Sequence, residues 1–224
     1  MNIINVLGVK YSDIDIAEAV ERTVRAIEAR EGGYILAPDS ALVLDARRNR
    51  RLMTAVRAAR LTLAGDKGIF IASSILGLPL HYKMSGGDFA SALLARLGTD
   101  GKSVFLLGAR EKTVQSAAES LVARFPGIRL AGAASGQFVD DTELVDEINA
   151  VSPDLLLACL PSPKQELWLY DTCPSLNAGM TLGLGAVLEN KRKESFFTRL
   201  VRDPKMTLKI PRMILAALWK RIAG

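Results

Sequence analysis

Histidine and cysteine are almost missing from this chain: His81 is the one imidazole, and Cys159 and Cys173 are the two thiols. Two cysteines cannot form a disulfide framework, and one histidine makes a His-based metal site improbable, so the chemistry falls to carboxylates, amides and cations. Long uncharged apolar runs are missing as well. Gly68 to Tyr82 is interrupted by Gly77 and Pro79, and Thr172 to Leu188 by Pro174, Asn177 and several glycines. A bilayer-spanning helix needs roughly 20 consecutive apolar residues, so an integral membrane protein is excluded. The opening MNIINVLGVKYSDID lacks a basic start, a long apolar centre and a small-residue cleavage site. A cytoplasmic location is therefore the default expectation. Neither G-x-x-x-x-G-K-[ST] nor G-x-G-x-x-G occurs, which disfavours a standard P-loop nucleotidase and a dinucleotide dehydrogenase.

What is present is an ordinary globular balance: 224 residues, 49% hydrophobic and 24% charged. This predicts a folded unit the size of one large domain or two small ones, with a sizeable core. Charge is uneven. Residues 191–224 hold ten Lys or Arg against Glu194 and Asp203, so this stretch is +8 and positions 1–190 are −3 within a total of +5. An anionic partner is expected to meet the tail, and nucleic acid, anionic lipid and a diphosphate ligand all qualify.

Apolar spacing from Asp13 through Glu31 predicts an amphipathic helix ending before Gly32-Gly33. A short strand at Tyr34 to Leu36 is followed by a helix from Ser40 to Arg60. Its run Arg47, Arg48, Arg50, Arg51, Arg57, Arg60 reads first as a solvated face and only second as a binding patch. The segment LTLAGDKGIF is a strand running into a turn, Gly68 to Leu76 a buried helix, and Leu80 to Met84 a short strand or hairpin arm. The second half alternates more clearly. Strands at Ser103–Leu107, Ile128–Ala131, Asp154–Leu160 and Ala178–Leu184 are separated by helices at Glu111–Phe125, Thr142–Val151 and Pro163–Tyr170. Uniformly apolar strands between helices predict an α/β, Rossmann-like, mostly parallel sheet covered by helices on both faces. The expected organisation is a body over 1–190 and a basic helical appendage over 191–224.

In such sheets ligands sit at the carboxyl ends of the strands. Four clusters lie there: Ala37-Pro38-Asp39-Ser40, Gly65-Asp66-Lys67-Gly68, Pro161-Ser162-Pro163-Lys164-Gln165-Glu166, and Gly183-Leu184-Gly185-Ala186 with Glu189 beyond. Glycines and helix N-termini at these places let backbone N–H groups approach a phosphate. Lys164, Gln165 and Glu166 are more specific, because an ordinary helix start accounts for Glu166 alone. A cation, an amide and a carboxylate together can contact phosphate, a uracil edge and ribose hydroxyls.

This order of elements and motifs resembles the WecG/TagA/CpsF family of glycosyltransferases, from about Tyr34 to the basic tail. S-P-K-Q-E after an apolar strand carries the resemblance furthest. Supporting matches are Ala37-Pro38-Asp39, Asp66 before Gly68-Ile69, Ser85-Gly86-x-Asp88, SVFLLG ending at Gly108, Gly136-x-Phe138 and Gly183-x-Gly185. The resemblance implies transfer, with inversion and without a metal-binding Asp-x-Asp, of a sugar from a UDP-sugar to a sugar linked through diphosphate to a membrane polyprenol. It implies that Asp66 is the general base, a role a strand-end carboxylate can fill by taking the acceptor hydroxyl proton. Without the family, Asp66 reads as an ordinary helix N-cap. The same resemblance makes Asp39, Lys83, Asp88, Gly108, Lys164, Gln165, Glu166, Gly185 and Glu189 substrate-binding candidates, with Gln165 and Glu166 on the nucleoside. Departures are Ala37 for a common Thr, Asp39 for Asn, Lys67 for Gly, Ser85 for Thr and Ala186 for Gly. They mark a divergent member whose sugar specificity is not carried over from N-acetylmannosamine-type relatives.

In the tail, Asp203-Pro204 starts a helix, and RMILAALWKRIAG presents a broad apolar surface with Trp219 beside Lys220-Arg221. Docking onto the body or a neighbouring subunit and contact with an anionic membrane fit that surface comparably, and the resemblance tips it toward membrane. Arg212 and Arg221 are the candidates for neutralising the departing diphosphate in place of a metal. The leading expectation is a peripheral enzyme on the inner face of the cell membrane, without cofactor, acting in exopolysaccharide or cell-wall glycopolymer synthesis. The alternative is a catalytically reduced relative that holds a nucleotide-sugar or lipid intermediate, motivated by Ala37 and Lys67. Nucleic-acid binding is disfavoured, since stacking aromatics are few in the tail. A homo-oligomer is left open.

Overall fold

A computed structural model describes residues 2–188. The chain opens with an antiparallel hairpin, β1 (Asn2–Val6) and β2 (Val9–Asp13). Its turn, Leu7-Gly8, has positive φ at both residues, the twist that a two-residue hairpin requires. No strand is expected there from the sequence, because Asn2, Asn5, Lys10 and Ser12 have little strand preference of their own. The hairpin is held instead by burying Ile4, Val6, Val9 and Tyr11 among Leu42, Val43, Leu52, Val56 and Ile69.

Helix α1 (Ile16–Glu28) begins later than expected, since Asp15 caps it by accepting from Glu18 N and Asp13 stays in β2. After β3 (Tyr34–Leu36), the single helix expected over 40–60 is two, α2 (Ser40–Ala46) and α3 (Arg50–Arg57). Asn49 restarts the helix by accepting from Leu52 N at 3.1 Å, a capping role that helical periodicity does not reveal. Half of the arginine run is tied down: Arg51 forks onto Asp171, Arg57 donates to Gly8 O, and Arg60 pairs with Glu31. These are exposed contacts worth little stability, and they fit a solvated face.

β4 (Leu61–Thr62) is short, and α4 (Lys67–Ile75) is not fully buried as expected, because Ile71 and Ser74 face solvent. The strand expected at Leu80–Met84 is irregular chain. The N–H groups of His81 and Tyr82 are taken by the Asp13 side chain, and Met84 N alone reaches a sheet-side carbonyl, Ala64 O. Helix α5 (Gly86–Thr99), unassigned from sequence because Gly86-Gly87 weaken its start, buries Phe89, Leu93, Leu94 and Leu97 completely. Each such side chain contributes about 1.5–3 kcal/mol, ample to override two glycines near 1 kcal/mol each.

The remainder follows the expected alternation: β5 (Ser103–Gly108), α6 (Glu111–Arg124), β6 (Arg129–Ala134), α7 (Asp141–Val151), β7 (Leu155–Cys159), α8 (Lys164–Thr172) and β8 (Met180–Gly183). Six strands form one sheet in the order β4-β3-β8-β7-β5-β6, every pair parallel. Alternate strand residues divide between two cores. Ile35, Val104, Leu106, Leu155, Leu157 and Leu182 pack under α1, α5 and α6, while Leu36, Phe105, Leu107, Leu156 and Ala158 pack under α7 and α8. Both faces are therefore covered. No helix among the described residues is long and apolar enough to cross a membrane.

Candidate active site

Because all six strands are parallel, the loops after them meet along one edge of the sheet. Asp66 stands there as the N-cap of α4, 6% exposed, its Oδ1 accepting from Ile69 N at 3.1 Å. The ordinary capping role is thus real, and it uses one oxygen only. Oδ2 is buried without a hydrogen-bond partner among the described residues. Gly65 precedes it because a Cβ there would come within 2.6 Å of Ser85 Cα and 2.9 Å of Met84 O. That close approach brings Lys83, exposed, and the N-terminus of α5 alongside Asp66. Asp88 lies in the first turn of α5, where Ser85 Oγ donates to its Oδ2 at 2.6 Å and accepts from its backbone N–H.

The loop after β3 runs beside Asp66. Asp39 caps α2 by accepting from Leu42 N, and Ser40 behind it is buried. Tyr11, fully buried on the hairpin, donates its hydroxyl to Pro38 O at 3.0 Å. Burial pushes this phenol far above its ordinary range, and the Asp66 and Asp39 charges add to the effect. It stays a protonated donor that fixes the loop from beneath. Nothing in the sequence marks Tyr11, whose polar neighbours in the structure come from two separate loops, those of Pro38-Asp39 and Asp66.

The cluster after β7 is arranged differently from the expectation of three groups facing ligand. Helix α8 starts at Lys164 with Pro163 as its cap residue. Gln165 and Glu166, each 2% exposed, bond within the chain: Gln165 Oε1 accepts from Gly185 N at 2.8 Å, Gln165 Nε2 donates to Glu166 Oε1, and Ser162 Oγ donates to Glu166 Oε2. They knit the β7 end to the β8 end. Burial raises the Glu166 carboxyl above its ordinary value and the Asp39 charge adds to this, against the donors Ser162 and Gln165. Gly183 leaves room for this arrangement, since a Cβ there would fall 2.7 Å from Gln165 Nε2 and the amide would have to shift. Gly185, at φ +70, has open space around it.

On the far side, Lys164 Nζ donates to Gly136 O at 3.3 Å and lies 3.9 Å from the centre of the Phe138 ring, a cation–π contact. Gly108 has φ +144, and a Cβ on it would meet Cys159 O at 2.4 Å. Asp66, Asp39, Lys83, Asp88, Gln165, Glu166, Gly185, Lys164 and Gly108 thus share one edge. Glu189, Arg212 and Arg221, and with them the basic appendage, lie outside the described residues. Among the described residues no group of three or more His, Cys, Asp or Glu side chains could hold a metal ion.

The chain is similar to known enzymes over most of this architecture. It is 27% identical over 208 residues to an N-acetylglucosaminyldiphosphoundecaprenol N-acetyl-β-D-mannosaminyltransferase of Bacillus spizizenii, covering 86% of this chain and 81% of the relative. The enzyme of the same description from Staphylococcus aureus is 25% identical over 204 residues, covering 88% and 80%. The sequence model of the glycosyl transferase WecG/TagA/CpsF family matches residues 4–190, which takes in the hairpin from Ile4 onward, all six sheet strands and every strand-end loop just described. With that span matched, the chain belongs to the WecG/TagA/CpsF family of glycosyl transferases.

Proposed function

We propose that this chain is an inverting, metal-independent glycosyltransferase that moves a sugar from a UDP-sugar to a polyprenyl-diphosphate-linked sugar in exopolysaccharide or cell-wall glycopolymer synthesis. The relatives' activity toward N-acetylglucosaminyl-diphosphoundecaprenol supports the acceptor class. The observation that carries the mechanism is Asp66, a buried carboxylate with one oxygen fixed by a helix N-terminus and the other unpartnered among the described residues. An acceptor hydroxyl attacks the anomeric carbon from the face opposite the nucleotide. The new C–O bond forms, the bond to the diphosphate breaks with its electron pair leaving on UDP, and the hydroxyl proton passes to Asp66. Gly108, Lys164 and the Gly185 loop positioned by Gln165 and Glu166 form the donor side; Asp39, Lys83 and Asp88 form the acceptor side. Arg212 and Arg221, with Glu189 preceding them, complete the site from the 191–224 appendage, which holds the enzyme peripherally on the anionic inner face of the membrane.

Asp66→Asn tests this reading. The substitution keeps size and most hydrogen bonding but cannot take the proton, so turnover should fall by roughly 10²- to 10⁴-fold while UDP binding by calorimetry persists. Near-normal turnover in that variant would overturn the assignment.

A further inference from the structure

Three buried side-chain polar atoms among the described residues lack a hydrogen-bond partner: Ser40 Oγ, Asp66 Oδ2 and Trp168 Nε1. Two of the three belong to side chains, Ser40 and Asp66, that flank the same glycine. A Cβ placed on Gly68 would lie 2.9 Å from Asp66 Oδ1 and 3.1 Å from both Cβ and Oγ of Ser40. The absence of that Cβ is what lets the two side chains share one space. Ser40 is 1% exposed, so solvent does not satisfy it.

We propose that Ser40 is a positioning residue for Asp66, its hydroxyl donating to the carboxylate oxygen that the helix cap leaves unsatisfied. This rests on the reading of Asp66 as the base. An ionised carboxylate only accepts and a serine hydroxyl can donate, so the two unpartnered groups are chemically complementary. Leaving both buried and unpaired is unfavourable, and in this reading a turn about the Ser40 Cα–Cβ bond brings the hydroxyl to the carboxylate and removes the penalty. The Ser40 backbone is already fixed, by Tyr11 on Pro38 O and by Asp39 capping α2. With Oδ1 on Ile69 N–H and Oδ2 on Ser40, the carboxylate plane is set. Each oxygen retains a lone pair, one of which takes the acceptor proton.

Wild type, Ser40→Ala, Ser40→Cys, Asp66→Asn and the Ser40→Ala/Asp66→Asn double variant decide the matter in a steady-state transfer assay. Ser40→Ala is expected to lower kcat about tenfold, the size of one hydrogen bond to a charged group, with KM for donor and acceptor changed less than about twofold. Ser40→Cys, a weak donor of similar shape, should fall between Ala and wild type, and it carries the test if the alanine variant does not fold. In the Asp66→Asn background Ser40→Ala should have no further effect, because a residue acting through the base has nothing left to act on. Wild-type kcat in Ser40→Ala beside a disabled Asp66→Asn would overturn the inference and leave the base standing, as would losses that simply multiply in the double variant. Wild-type turnover in Asp66→Asn would overturn both.

Discussion

The Asp13 carboxylate joins the end of the N-terminal hairpin to a segment 68 residues further on: Oδ1 accepts from the backbone N–H groups of His81 and Tyr82, and Oδ2 lies 2.7 Å from His81 Nδ1. Asp13 is 6% exposed, whereas the His81 ring is largely in solvent. The irregular chain that brings Lys83 and Ser85 to Asp66 is therefore held by a side chain rather than by a strand ladder.

Asp13 burial opposes the charged form, but the His81 and Tyr82 donors outweigh it, and the carboxyl is held below its ordinary value. Its contribution to stability is then present above the unfolded aspartate pKa of roughly 3.9 and is lost as pH falls through the lower folded value. Melting temperatures of wild type and Asp13→Asn should converge in acid and separate toward neutrality. At neutral pH, Asp13→Ala is expected to cost about 1–3 kcal/mol in urea unfolding, from the backbone donors it leaves bare.

Glu166 behaves with the opposite sign. Its carboxyl is raised chiefly by burial, so the stability linked to its protonation is fully present below the unfolded value and is lost as pH rises through the folded one. Glu166→Gln should therefore melt higher relative to wild type at pH 8 than at pH 5. A difference that does not change with pH would show that Glu166 stays in one state.

Two glycines with positive φ separate backbone strain from crowding. Gly77, at φ +73, has nothing within 4 Å of a built Cβ, and Gly77→Ala should cost about 1 kcal/mol from the left-handed backbone alone. Gly108→Ala adds a collision with Cys159 to an unfavourable φ and should cost more, about 3 kcal/mol or above. It should also weaken UDP, read by calorimetry on the folded fraction.

Removing residues 191–224 should lower binding to anionic vesicles and, separately, turnover on a water-soluble acceptor. Trp219→Ala is expected to affect mainly the first. Arg212→Ala or Arg221→Ala should affect mainly the second, since a cation on departing diphosphate acts in the transition state. Full activity of the truncated chain on the soluble acceptor would restrict the appendage to anchoring.

Much of the sheet is legible in the sequence because its strands are buried on both faces and read as unbroken apolar runs, as LLLAC in β7 and SVFLLG in β5 do. The strand-end clusters follow from that. What is not legible depends on contacts between distant segments. The hairpin alternates only weakly, and its pairing is decided by Tyr11 and Val9 finding α2 and α3. The stretch 80–84 has strand-like residues, yet Asp13 takes the N–H groups a ladder would use. Gln165 and Glu166 read as ligand-facing by type and spacing, while Gly185, 20 residues away, turns out to be the partner of Gln165. Ser40 sits within a recognised cluster, but its significance comes from Gly68 across the loop.

Among the described residues β8 is the last strand of the sheet in sequence, and it lies between β3 and β7. Until residues 180–183 are in place, the strands before it form two separate ribbons. One leads to Asp39 and Asp66, the other to Gly108 and Lys164, and each has an open edge where the other will join. Without β8, no strand pairing fixes the distance between these two sets of loops. Met180 to Gly183 supply that pairing on both sides, to β3 and to β7, so the spacing of the two sets of loops across the sheet is a property of β8.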